Sequence, residues 1–376
     1  MEPSTGQDER SAGRSEYPTG QHESPTSRRD LLRAGSGVAA LAATGGLSGC
    51  LGLLGGRDLP RRSDAAVLAH APERTVAAAH VDASELLADQ ALIGAIDGRL
   101  GLLGGAAERV PESTDATMAL VADRTGLDPR DLDEMLAVVV RPPGGNESGD
   151  NGGRLDPLAQ TDQAVLLRSV WTPAAVGEVL DRRAAAVRTT RYRGFEVLTA
   201  VREGTPVASV GVVENGDYVV GRRSGVEAML DVAAGDATAR ESQLATALAA
   251  ARPGPARIAV VPRRDAERSS GFGDPVALLA GKVDLAYGSL YADGERRGTE
   301  VVLETGSGFD AEDVHESAES VLALARAGQV DPVLEPLLSR VEASRSGSTV
   351  TLRYEAPVGA FATTLLSVAA ATVLGE

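Results

Sequence analysis

Short β-rich runs of mostly apolar residues, each followed by a helix cap, a turn or a proline, constrain this chain's fold more than any other feature. TVAAAHV (75–81), LAVVVR (136–141) and AVLLRSV (164–170) have this form, and short apolar runs of this length bounded by turn and cap residues read as strands. Helix starts lie between them. Asp82-Ala83-Ser84 offers caps for a helix through Ile96, and Thr172-Pro173 opens one to about Arg183, with threonine as cap and proline in the first turn. Phe195–Val201 and Val207–Val213 are expected as strands. Glu214-Asn215-Gly216-Asp217 then turns the chain into a strand over Tyr218–Arg222, and Ser224 caps a helix through Ala233. Hairpins mixed with helices in this way predict an α+β protein.

The second half echoes the first. RIAVV (257–261) matches the first strand and DLAYGSLY (284–291) the second. TEVVLE (299–304), Phe309-Asp310 and a helix to Arg326 match AVLLRSV, Trp171 and its helix. STVTLRYE (348–355) and an apolar tail close the chain. An order of β-α-β-β-α-β, met twice, predicts two related halves, 65–240 and 241–376, each a split-βαβ, ferredoxin-like sheet packed against helices. LGLLGG occurs at 51–56 and at 100–105, which reads as low complexity rather than a structural repeat. The tail, VGAFATTLLSVAAATVL (358–374), carries no charge. Thr364, Ser367 and Ala371 fall on one face opposite Phe361, Leu365, Val368 and Leu374, so it is expected as a buried terminal helix rather than a second membrane anchor.

The amino-terminal part reads differently. Residues 1–26 are polar and rich in serine, glycine, glutamate and proline, a disordered composition. Ser27-Arg28-Arg29-Asp30-Leu31-Leu32 follows, then an uncharged run from Ala34 to Leu47. That run is too short for a spanning helix, which takes ~20 residues, but it fits a signal-peptide core. The arginine pair Arg28 and Arg29 resembles a twin-arginine export signal. Leu47-Ser48-Gly49-Cys50 resembles a lipobox, in which the cysteine becomes the lipid-bearing first residue after cleavage. The resemblance implies a signal peptide over 1–49, a membrane-proximal tether over 50–64, and a lipid on Cys50 that holds the protein to the outer face of the cell membrane. Cys50 is the only cysteine, so no internal disulfide is expected and packing must supply the stability.

The formal net charge is -16, and of 37 basic residues only Lys282 is a lysine. Acidic excess with arginine in place of lysine resembles the proteins of extremely halophilic archaea. At molar salt the Debye length is ~3 Å, so like charges cease to repel at a distance while still holding water. The same net charge argues against nucleic acid as a partner, since no basic stripe is expected to neutralise phosphates. Ala79-His80-Val81-Asp82 and VVGRRSGVEAMLDVAAGD (219–236) are similar to text in a loosely defined group of haloarchaeal and bacterial surface proteins. That resemblance covers most of the mature chain. Its motifs are structural and imply no activity.

Motifs for chemistry are sparse. His80 and Asp82 lie on one side of a strand and could serve as a base and its orienter; a strand histidine beside a capping aspartate is more often structural. His22 precedes Cys50, His70 adjoins the first strand and His315 sits in an acidic helix start. GDPVALLAGK (273–282) has Val276 where a phosphate loop requires its first glycine, so it is rejected. Asp128-Pro129-Arg130-Asp131-Leu132-Asp133-Glu134 could hold a hard cation, but a proline-started helix with acids in its first turn explains it better. Asn146-Glu147-Ser148 matches a glycosylation acceptor in a glycine-rich loop. No catalytic residue, metal or cofactor is expected. The function expected is that of an exported, lipid-anchored surface protein that binds or supports structure. Its rivals are a solute-binding lipoprotein serving a transporter, with Trp171, Tyr192 or Tyr291 lining a cleft, and a secreted hydrolase using His80 with Asp82.

Overall fold

The computed structural model describes residues 69–104, 111–141, 162–237, 243–262, 281–330 and 335–374. Within these residues the chain is α+β, and its strands make one twelve-stranded sheet. The first seven strands are β1 (Thr75–Asp82), β2 (Leu132–Val140), β3 (Asp162–Ser169), β4 (Ala186–Tyr192), β5 (Phe195–Arg202), β6 (Thr205–Glu214) and β7 (Asp217–Gly221). They are followed by β8 (Ala256–Val260), β9 (Val283–Asp293), β10 (Arg296–Thr305), β11 (Glu342–Ser346) and β12 (Thr349–Pro357). Their order across the sheet is β11-β12-β10-β9-β8-β1-β2-β3-β7-β6-β5-β4. Neighbouring strands are antiparallel in every ladder.

Helices divide unequally between the two faces. Of the described helices, one face, here the near face, takes α5 (Arg223–Ala233) and α6 (Gln243–Ala250). Val226, Met229 and Leu230 of α5 and Leu244 and Leu248 of α6 form one core with Ala78, Leu136, Val138, Leu166, Val197 and Val219. The far face takes α1 (Ala83–Ala88), α2 (Gln90–Gly104), α4 (Pro173–Arg183), α7 (Gly308–Arg326) and α9 (Val358–Leu374). There Leu92, Phe361 and Ala362 pack on Val81, Met135 and Tyr354. Odd-numbered β1 residues such as Ala79 and Val81 point to the far face and even-numbered ones to the near face, so the strand period decides which core each side chain enters.

Several expected elements are present. Thr172 accepts a hydrogen bond from the Ala175 amide at 3.2 Å and starts α4, and β6 turns into β7 at Asn215-Gly216. The tail is helical, and its first turns bury Phe361 and Ala362. No helix among the described residues is long and apolar enough to cross a membrane.

Other expectations need correction. The helix expected from Ala83 to Ile96 is two, because Asp89 interrupts it: its carboxylate accepts from the Leu92 amide at 3.1 Å and takes Arg297 of β10 in a two-pronged ion pair. Pro129 starts only a 3-10 turn over Pro129–Asp131, after which Leu132 is already strand. Ser224 does not cap α5; Arg222 occupies that position, and the Ser224 hydroxyl donates to Asp162 at 2.6 Å. The strands β4 and β11 and the helix α3 (Thr114–Thr125) have no counterpart among the expected elements.

The ferredoxin-like order is also revised. β10 and β11 flank β12 and run the same way, joined by α7 and the short α8 (Glu335–Leu338), which is one split-βαβ unit. β3 and β6 flank β7 in the same manner. A ferredoxin-like half would interlock two such units. Here α1 to α3 return the chain from β1 to its antiparallel neighbour β2, so no second unit forms.

Candidate functional site

The middle of the sheet ends in a row of charge. Antiparallel register sets Asp82 opposite Glu134, Glu134 opposite Arg168, and Arg168 opposite Asp217, so β1, β2, β3 and β7 each place one charged side chain on the near face. His80, two residues before Asp82, lies in register with Leu136 on one side and Arg257 of β8 on the other. A bulge in β2 between Leu132 and Glu134 leaves Asp133 as the extra residue.

These groups are nearly all out of water. His80 is 7% exposed, Asp82 8%, Asp133 5% and Asp217 5%. His80 Nε2 stands 4.0 Å from Glu134 Oε1, and Arg168 Nη1 stands 3.5 Å from the other oxygen of Glu134. Arg168 Nε is 4.0 Å from Asp217 Oδ1. The guanidinium therefore bridges two carboxylates, which is how buried charge is tolerated. Asp82 serves the helix instead. Its Oδ1 accepts from the Glu85 amide at 2.7 Å and from the Ser84 hydroxyl at 2.8 Å, capping α1.

Asp133 is the exception in the row. Both of its carboxylate oxygens are buried and hydrogen-bond to no described residue. Burial pushes its carboxyl up to about 6; the Arg168 charge opposes this, and Glu134, Asp82 and Asp131 add to it. The row is thus an ion-paired strut with one carboxyl that is protonated at mildly acidic pH. Among the described residues no three histidine, cysteine or acidic side chains come together as a group able to hold a metal ion.

Arg28, Arg29, Leu47, Ser48, Gly49, Cys50 and Asn146 lie outside the described residues, as does His22. His70 and His315 are partly buried, His315 on α7. The three aromatics considered for a cleft do not meet in one. Trp171 packs among far-face side chains and donates to the Asp128 carbonyl at 2.9 Å. Tyr192 packs against the near-face core and donates to Asp231 at 3.0 Å. Tyr291 is buried under Arg252, whose guanidinium carbon is 3.6 Å from the ring centre. A cavity of about 210 Å³ beside α6 is lined by Gln243, Thr246, Ala247, Ala250, Leu285 and Glu304, and so includes none of the three.

Sequence reasoning missed Asp133, Glu134, Arg168 and Asp217 as a set. The available signal was Asp-Glu directly before MLAVVV: acids that continue an apolar run in strand register rather than opening a helix.

No protein-family model matches the chain, and no curated protein matches it. Among solved structures it is similar to TP0453. Crystal form III of that protein has a TM-score of 0.42 and 9% identity, over 80% of this chain and 97% of that one. Crystal form I gives 0.40 and 9%, over 80% and 96%, and crystal form IV gives 0.40 and 8%, over 79% and 95%.

Proposed function

We propose that this chain is an exported, lipid-anchored protein of the outer cell surface whose folded body binds or supports structure and carries no catalysis of its own. The order Arg28-Arg29, uncharged run, Leu47-Ser48-Gly49-Cys50 supports the address. The first described residue, Ala69, follows Cys50 after an interval rich in glycine and arginine that suits a tether. The partner implied is the membrane, through a lipid on Cys50.

The observation that carries the non-catalytic reading is the burial of His80 against Glu134, with Asp82 committed to the start of α1. A general base must come within hydrogen-bond reach of the proton it removes, and a histidine 7% exposed in a sheet row is poorly placed for that. The pair therefore serves the framework.

The same reading covers the construction of the body. The order β1-β2-β3-β7-β6 runs outward one way from the centre, and β8-β9-β10-β12-β11 runs outward the other way. This supports two related halves, near 65–240 and 241–376, joined where β1 meets β8. The hairpin β4–β5 is an addition to the first.

Cell fractionation tests the proposal. Wild-type protein is expected in the membrane fraction and released by detergent, Cys50→Ser in the soluble fraction or unprocessed, and His80→Ala anchored as the wild type is. Wild-type protein found soluble in the cytoplasm would overturn it.

A further inference from the structure

Among the described residues the twelve-stranded sheet ends on β11 at one side and β4 at the other. A free edge is an unpaired row of amide and carbonyl groups, and proteins usually blunt it by shortness, charged side chains, proline or a bulge. Charge of one sign bars like-charged strands and leaves the edge open to strands of the opposite sign. β11 is short, five residues. β4 is seven residues, holds no proline, and pairs with β5 from Ala186 to Tyr192 without a register shift. A two-residue turn, Arg193 at φ 51 and Gly194 at φ 90, fixes that register. The strand is also peripheral to the core, since none of its seven residues is fully buried. Relative to the order of the other wing, the β4–β5 hairpin has no counterpart. It lengthens the sheet while adding little to the interior.

Its charge is opposite to that of the rest of the molecule. Arg182, Arg183, Arg188, Arg191 and Arg193 lie between residues 182 and 193 with no acidic residue among them, in a chain of net charge -16. Arg182 donates to the Thr125 carbonyl, and Arg193 is taken by Asp231 and Asp236. Arg183, Arg188 and Arg191 are exposed and form no ion pair with any described residue. In register, Arg188 and Arg191 project to opposite faces of the edge, so an added strand would meet positive charge on both sides.

The geometry points to β4 as a docking edge for an extended, acidic segment of another protein, added as a thirteenth strand. Backbone pairing would supply the ladder and the arginines the selectivity, the usual division in strand addition. Charge complementarity chooses the occupant. Two β4 edges side by side would bring arginine against arginine, and like charges across a ladder destabilise it, so a second copy of this chain is excluded as the partner.

The test is fluorescence anisotropy with two labelled peptides as long as β4, one alternating valine with glutamate and the other valine with arginine. Salt is raised from the lowest level at which circular dichroism shows the full chain folded. The valine–glutamate peptide is expected to bind, more weakly as salt rises. Arg188→Glu with Arg191→Glu is expected to weaken it by about tenfold or more and to shift preference to the valine–arginine peptide. Should that double variant misfold, Arg188→Gln with Arg191→Gln is expected to show the weakening alone. Binding of neither peptide, equal binding of both, or indifference to the substitutions would overturn the proposal. So would concentration-dependent dimers, seen by light scattering, that the substitutions abolish.

Discussion

The two wings of the sheet share a strand order but cover their near faces to different extents. In the first wing β3, β5 and β7 present Leu166, Val197 and Val219, and α5 lies over them. Gly211 of β6 makes room for it, since a Cβ there would stand 2.9 Å from Leu230. In the second wing α6 covers only β8 and β9 on that side, while β10 and β12, farther out, present Glu300, Glu304, Thr351 and Arg353 to it. The helix that follows β12, α9, goes instead to the far face, where Phe361 packs on Tyr354 at 5.8 Å between ring centres. A helix goes where the strand alternation has left an apolar surface, even when topology offers both sides. The wings therefore differ in what their stability rests on.

The largest effect is expected at the clamp that secures the second wing to the far-face helices. Arg297 of β10 reaches Asp89, between α1 and α2, with one prong at 2.6 Å. Burial alone would raise the Asp89 carboxyl, but the hydrogen bonds from Arg297 and the Leu92 amide outweigh it and hold it below its usual value. Arg297→Ala strands that carboxylate and is expected to cost about 4 kcal/mol in denaturant unfolding at fixed salt. Leu230→Ala, in the covered near face, comes next at about 3 kcal/mol, because it opens a cavity in a core where Leu230 is fully buried. If Leu230→Ala costs nothing, α5 is not what closes the first wing.

Asp133→Asn is expected to stabilise. Its carboxyl is raised from 3.8 to about 6 in the folded chain, so the native state holds a proton that the unfolded state releases. Wild-type stability should therefore fall as pH rises from about 4 to about 6, and stay lower above that. The asparagine variant should lack this fall and gain about 1–2 kcal/mol above pH 6, read from unfolding curves on either side of that value. Parallel pH profiles for the two proteins would show that Asp133 is not the buried acid described. The smallest effect is expected for Thr351→Ala on the near face of β12, beyond the reach of α6, within about 0.5 kcal/mol. A larger loss there would mean that this face is covered.

Much of this plan was legible in the sequence, for identifiable reasons. TVAAAHV, LAVVVR and TEVVLE were legible because they are short runs rich in apolar and β-branched residues, and a strand buried on both faces, as β2 is, reads as a continuous apolar run. β4, AVRTTRY, was not legible because neither face is fully buried and arginine and threonine carry no apolar period. The near-face charged row was hidden for another reason. Asp82, Glu134, Arg168 and Asp217 are far apart in sequence and meet only through the register of four strands. A strand end looks the same as a helix start when acids follow a proline, which is why Asp133 and Glu134 first read as a helix's opening turn. The fate of the apolar tail depended on the opposite face being free, which no local pattern states.

The most direct test of the lipid anchor is the intact mass of the protein recovered from its native membrane. The expected result is a chain that begins at Cys50, heavier than its sequence by the mass of a lipid, with residues 1–49 removed. A chain that begins at Met1 with an unmodified Cys50, recovered from the cytoplasm, would contradict it.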